Sequence, residues 1–251
     1  MINIRGIEIL NDNIVWIISK KNKCIIIDPG KSNIIIKKLE KFNLKPIIIL
    51  ITHLHCDHIN GIFKLLKYYP KIKIFTPKKL NFVSKTNQNI IKKEKKIFLF
   101  NKVFYIIFTP GHTKIDVSYY FEKYLFCGDI LFSGGCGKTI DGCSKNLYFS
   151  LKKIMRLPKK TIFFNSHKYT FSNLKFSNYL FKKDLEIKEY FNFIKKNIKN
   201  IKYYNNLNFE KKINIFLKTK NNYIKDVINY WYSSYNEINY FCNLRKIKDQ
   251  F

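Results

Sequence analysis

An α+β fold is predicted: a mixed β/α domain over residues 1–165, followed by a smaller helical domain over 166–251. Three features carry the prediction. Short apolar runs ending in turn signals dominate the first two thirds of the chain. After about His167 they give way to longer stretches with helical spacing, and no glycine occurs beyond Gly142.

Taken in order, Ile14–Ser19, Cys24–Asp28 before Pro29-Gly30, and Pro46–Thr52 read as buried strands. Ser32 is a candidate N-cap for a helix over 33–42, in which Ile35, Leu39 and Phe42 fall at helical spacing. A second helix is expected over 61–69. Strands follow at 73–75, 97–100, 103–109, 117–121, 124–127 and 161–165. Residues 146–157 have helical periodicity, as do 172–181, 184–200 and 222–232.

Composition narrows the function classes. With 251 residues and 46% hydrophobic content the chain can bury a real core, which excludes disorder. Its longest apolar run, Ile47–Ile51, is far short of the roughly 20 residues that cross a bilayer. Residues 1–5 lack the basic, apolar and small-residue segments of a signal peptide, so a cytoplasmic location is expected. The six cysteines form no CxxC pair, as expected of reduced thiols, and a thiolate zinc cluster is not predicted.

A net charge of +30 raises the question of nucleic acid. The basic residues are nearly all Lys, with only Arg5, Arg156 and Arg245 as Arg, and Ile, Asn, Phe and Tyr are abundant with them. Those are residues of A/T-rich codons, and the lysines are spread along the chain instead of forming one block. Base bias is therefore the preferred explanation, and no nucleic-acid or membrane partner is expected.

The segment Thr52-His53-Leu54-His55-Cys56-Asp57-His58 carries the chemistry. It places four metal-binding side chains within six residues, in a loop directly after the strongest predicted strand. Alternate residues of a loop can converge, so His53 and His55 can share one cation while Asp57 and His58 reach a second. Imidazole and carboxylate suit zinc, iron or manganese. The remaining histidines, His112 and His167, also follow predicted strands, and such sorting is not expected of structural histidines. Asp129 in Cys127-Gly128-Asp129 is the candidate bridging carboxylate. Two ions bridged in this way activate water without a protein nucleophile, and Asp57 is the candidate to orient that water. Asp28 reads equally as a turn-former or as a hydrogen-bond partner behind the ligands.

In order and spacing, His53-x-His55-x-Asp57-His58, His112, Asp129 and His167 resemble the metallo-β-lactamase superfamily. More narrowly, the chain resembles the glyoxalase II (hydroxyacylglutathione hydrolase) family through Pro110–Thr113, Leu125–Asp129, Leu131–Gly137, His167–Thr170 and Lys248–Phe251. The resemblance implies an αββα sandwich followed by a helical domain. It also implies a binuclear site, zinc foremost, that hydrolyses S-D-lactoylglutathione to D-lactate and glutathione in methylglyoxal detoxification.

The implied ligands are His53, His55, His112 and Asp129 for one ion, and Asp57, His58, Asp129 and His167 for the other. The implied glutathione contacts are Lys138, Tyr169, Arg245 and Lys248, cations being suited to a peptide's carboxylates. Arg245 and Lys248 would share one face if the tail is helical. The implied enzyme is a monomer.

Asn60, Asp116, Ile140 and Lys168 depart from the family pattern. Lys168 matters most, because a cation beside a ligand opposes metal binding. A β-lactamase would be secreted and would present a cysteine where Asp129 stands. A tRNA-processing nuclease would not need Gly134–Lys138 or the Arg245/Lys248 pair, and a sulfur dioxygenase would lack the long helical domain. A non-catalytic basic binding protein would not need the intact ligand set.

Overall fold

Two strands the periodicity does not flag begin and end one sheet, β1 (Asn3–Ile9) and β6 (Gln88–Ile90). Between them lie β2 (Asn13–Lys20), β3 (Lys23–Ile27), β4 (Lys45–Leu50) and β5 (Lys73–Thr76), and the sheet order follows the chain order. The structure is a computed structural model describing residues 1–251, and it divides into two units. The first comprises residues 1–108 and 115–122; the second comprises 109–114 and 123–251.

In the first unit β1, β2 and β3 pair antiparallel, whereas β3 to β6 run parallel. Parallel neighbours need crossovers. Helix α1 (Ser32–Lys41) provides the first and α3 (Ile62–Tyr68) the second. Helix α1 buries Ile35, Ile36 and Leu39 and leaves its lysines in solvent. These side chains join Ile17, Ile26, Ile49 and Ile74 of the sheet in one core. Strands β7 (Lys95–Leu99), β8 (Lys102–Phe108) and β9 (Val117–Phe121) form an antiparallel meander. The fully buried Tyr119 of β9 donates its hydroxyl hydrogen bond to the Ile51 carbonyl at 2.7 Å.

Two local expectations are corrected here. Lys31, not Ser32, occupies the extended N-cap position of α1; Ser32 is already helical and buried. The metal-binding segment is not all loop, because Cys56–Ile59 forms a short helix, α2.

In the second unit β10 (Tyr124–Phe126) pairs parallel with β13 (Ile162–Phe164), which pairs antiparallel with β14 (Tyr204–Asn206). Strands β11 (Leu131–Phe132) and β12 (Gly135–Cys136) make a tight hairpin around Ser133-Gly134, where Gly134 takes φ +72°. A two-residue hairpin turn requires positive φ, which glycine adopts at no steric cost.

The helices are α4 (Ser144–Ile154), α5 (Thr170–Leu180), α6 (Leu185–Lys196), α7 (Leu207–Ile213), α8 (Asn222–Trp231) and α9 (Glu237–Gln250). Asparagine abundance gives α7, α8 and α9 their caps: Asn206, Asn221 and Asn236 each accept from the backbone N–H three residues on. The helix expected over 184–200 ends at Lys196 and continues only as a 3-10 turn over Ile198–Asn200. Leu174, Ile194 and Ile213 centre a small core lined by Phe171, Tyr190, Phe191 and Phe209.

Candidate metal centre

Parallel pairing of β3 with β4 sets Ile27 opposite Leu50, so both strands deliver their next residues to the same sheet end. Asp28 leaves β3 there with φ +52° and is buried. Both its oxygens accept from Thr52, from the backbone N–H at 2.8 Å and from the hydroxyl at 2.6 Å. The structure thereby assigns Asp28 to support of the ligand segment.

Since the Thr52 hydroxyl proton is committed to Asp28, its oxygen faces His53 Nδ1 at 3.1 Å as an acceptor. His53 is then protonated at Nδ1 and presents a basic Nε2. Asp28 Oδ2 also lies 3.1 Å from His58 Nδ1 and sets that ring in the same way. His53 Nε2 stands 3.0 Å from His55 Nδ1, and His58 Nε2 is 3.5 Å from Asp57 Oδ2. Asn13 on β2 donates to that Asp57 oxygen at 2.7 Å. The four expected side chains of the first unit are thus brought together. Cys56, within the same segment, is exposed.

The second unit contributes a cluster around Asp129. Its Oδ2 is 3.4 Å from Nε2 of both His112 and His167, and Ser166 Oγ donates to its Oδ1 at 2.6 Å. His112 Nδ1 lies 2.5 Å from the Lys138 carbonyl, so its proton sits there and Nε2 is the basic nitrogen. Ligands on a tetrahedral ion with bonds of about 2.0–2.1 Å stand about 3.3–3.4 Å apart. The donor spacings in both clusters, 3.0 to 3.5 Å, match that edge, and imidazole with carboxylate is a divalent-metal donor set.

Around the second cluster, Tyr169 stacks on His167 with centroids 4.7 Å apart, and Lys138 is exposed. The tail is helical, as a shared face for Arg245 and Lys248 requires. The two differ in their surroundings. The Arg245 side chain is only 4% exposed. It donates to the Cys136 carbonyl at 3.1 Å and to Asp249 at 2.9 Å, and it lies over the Phe216 ring. Lys248 is partly buried over Phe176 and donates to Asn173. Burial, aided by the Arg245 charge, pushes its amine down to about 7. The Lys168 ammonium sits 5.7 Å from the Tyr203 ring centroid, a favourable cation–π contact for the cation that departs from the family pattern.

Residues 10–167 match the family model of the metallo-beta-lactamase superfamily, and residues 168–251 match that of the hydroxyacylglutathione hydrolase C-terminus. A hydroxyacylglutathione hydrolase of Buchnera aphidicola subsp. Baizongia pistaciae is 45% identical over 244 residues, covering 97% of each chain. The chain belongs to the hydroxyacylglutathione hydrolase family. Hydroxyacylglutathione hydrolase 1 of Vibrio vulnificus is 40% identical over 96% of this chain and 95% of its own.

A metallo-beta-lactamase from Staphylococcus aureus subsp. aureus COL superposes with a TM-score of 0.65 at 18% identity, over 98% of this chain and 72% of that one. That likeness concerns the fold alone: the α+β metallo-β-lactamase fold, here followed by the helical C-terminal domain of the hydroxyacylglutathione hydrolases. It is a divalent-metal fold, and the chain is a hydrolase of this family. Sequence reading missed several supporting residues, namely Asn13, Asn173, Glu210 and Asn214. All are polar and uncharged or acidic, with no motif of their own. The one available signal was the i,i+4 spacing of Glu210 and Asn214, which puts them on one helical face.

Proposed function

We propose that this enzyme hydrolyses S-D-lactoylglutathione to D-lactate and glutathione. The observation that carries the reading is the 45% identity to a hydroxyacylglutathione hydrolase over 97% of both chains, in a chain that retains every expected ligand. His53, His55, His112 and Asp129 would hold one divalent ion, and Asp57, His58, Asp129 and His167 the other, with zinc foremost and iron or manganese suited to the same donors. Such a pair supplies a water activated near neutral pH and polarisation of the thioester carbonyl.

The chain's own groups position and protonate. Asp57, held by Asn13, orients the attacking water and takes its proton. The water oxygen bonds to the carbonyl carbon, the carbon–sulfur bond breaks, and the proton passes to the departing thiolate. No side chain is acylated, which leaves Cys56 without a chemical role. Lys138, Tyr169 and Lys248 meet the peptide, while Arg245 acts from beneath through the carbonyls it holds at residues 136 and 137. Residues 1–165 form the catalytic domain and 166–251 the glutathione domain of a cytoplasmic monomer. The six cysteines, with no CxxC pair among them, fit a reducing compartment.

The test is hydrolysis of S-D-lactoylglutathione with metal analysis of the same sample. Turnover with close to two ions per chain is expected. A metal-replete protein that leaves this thioester intact would overturn the reading.

A further inference from the structure

A fully buried carboxylate stands apart from the metal clusters. Glu210 on α7 has no exposed surface, and no lysine or arginine pairs with it in a chain carrying 47 of them. Burying an acid without a cation is costly unless donors surround it. Here four do. Oε1 accepts from Ser133 Oγ at 2.7 Å and Asn205 Nδ2 at 3.3 Å; Oε2 accepts from the Gly134 N–H at 2.9 Å and Asn214 Nδ2 at 3.2 Å. Burial nevertheless pushes the Glu210 carboxyl up to about 7.

Two of the four donors belong to the Ser133-Gly134 turn. Asn214, one helical turn along, adds bonds to the Phe132 and Gly135 carbonyls at 3.2 and 2.9 Å, so α7 grips the hairpin on both sides of its turn. That hairpin leads to the groups expected to meet the peptide. The Ser133 carbonyl accepts from Asn173 Nδ2 at 3.2 Å, and the Asn173 oxygen takes the Lys248 ammonium. Strand β12 ends at Cys136, whose carbonyl, with that of Gly137, receives Arg245, and Lys138 follows.

We propose that Glu210 is a positioning residue for substrate, clamping the Ser133-Gly134 turn so that Lys138 and the Asn173–Lys248 pair stand in register for the glutathione peptide. This inference rests on the proposed thioesterase activity. It places the specificity of the second unit in an anchor that no ligand touches.

The experiment compares S-D-lactoylglutathione with S-D-lactoyl-N-acetylcysteamine, which lacks the peptide, on the metal-loaded full chain. Glu210→Ala should raise KM for the glutathione thioester about tenfold and leave kcat/KM for the small thioester within about twofold, because only binding to the peptide is lost. Metal content should be unchanged. Glu210→Gln keeps the shape and an acceptor, and should restore KM to within about threefold of wild type.

Should Glu210→Ala fail to fold, Ser133→Ala removes one clamp bond and should raise the same KM about threefold without affecting the small thioester. An unchanged KM in the folded variants overturns the assignment. So does an equal loss on both substrates, which marks a merely structural role. Wild type that cleaves only the small thioester would instead overturn the proposed substrate itself.

Discussion

Gly30 is the position where a single methyl group should separate folding from metal binding. It follows Asp28-Pro29 at the end of β3, and its Cα lies against the backbone of the ligand segment. A Cβ there would stand 1.7 Å from the Asp57 carbonyl oxygen and 2.4 Å from its carbon. Non-bonded carbon contacts sit at about 3.5–4.0 Å, so the two backbone segments must part by about 1.5–2 Å. Neither is a flexible side-chain tip that could swing aside. The displaced segment carries Asp57 and His58, and a misplacement of about 1 Å at a catalytic group costs about 100-fold in rate. The overpacking itself should cost only about 1–3 kcal/mol, which a chain of this size can absorb.

Gly30→Ala is therefore expected to fold, with a circular dichroism spectrum like wild type. It should lose at least one equivalent of metal after gel filtration and fall about 100-fold in kcat/KM. Elemental analysis and the thioester assay on one preparation read both effects. A Gly30→Ala protein with wild-type metal content and turnover would refute the view that this close approach fixes the ligands.

Further outcomes are expected at five other residues. Glu210 has a folded-state value of about 7 against an ordinary 4.5, so the native state holds a proton that the unfolded chain releases. The stability linked to it is full below 4.5 and is lost as pH rises through 7, by at most about 3 kcal/mol. Thermal melts of Glu210→Gln and wild type should accordingly shift in the variant's favour between pH 5 and pH 8, and a constant difference would contradict this. Asp129→Ala removes the carboxylate equidistant from His112 and His167 and should lower both metal content and activity; retention of two ions and full turnover would exclude it as the bridge. Cys56→Ser, at an exposed thiol, should keep most activity, and loss of an ion there would make Cys56 a ligand. Lys248→Ala should raise KM for the glutathione thioester with the melting temperature nearly unchanged. Arg245→Ala should also lower the melting temperature, because it leaves the buried carbonyls at 136 and 137 short of a donor; an unaltered KM in both would remove them from the peptide site.

The sequence by itself determined the family of this protein and its class as a hydrolase. Histidine and aspartate are few, their spacing along the chain is preserved by any fold that uses them, and so the seven proposed ligand positions could be named before their surroundings were known. Most strands and helices were legible for a similar reason, since an apolar period of two or 3.6 is a local property. Strands β1, β6 and β14 were not, because their partly exposed residues carry little apolar alternation and depend on a neighbour's register for their form; nor were β11 and β12, each two residues long and defined only by pairing with the other.

Tertiary structure decided what each supporting group does. Asp28 could be a turn-former or a partner of the ligands until the β3–β4 register set it beside Thr52. Arg245 read only as a cation suited to the peptide; α9 gives it the Cys136 and Gly137 carbonyls as partners. Glu210 gave no signal beyond its i,i+4 spacing from Asn214, because an acid in a lysine-rich chain looks like a solvated charge. Only the packing of α7 against the β11–β12 hairpin surrounds it with donors, and burial is a property of the assembled fold that no local pattern encodes.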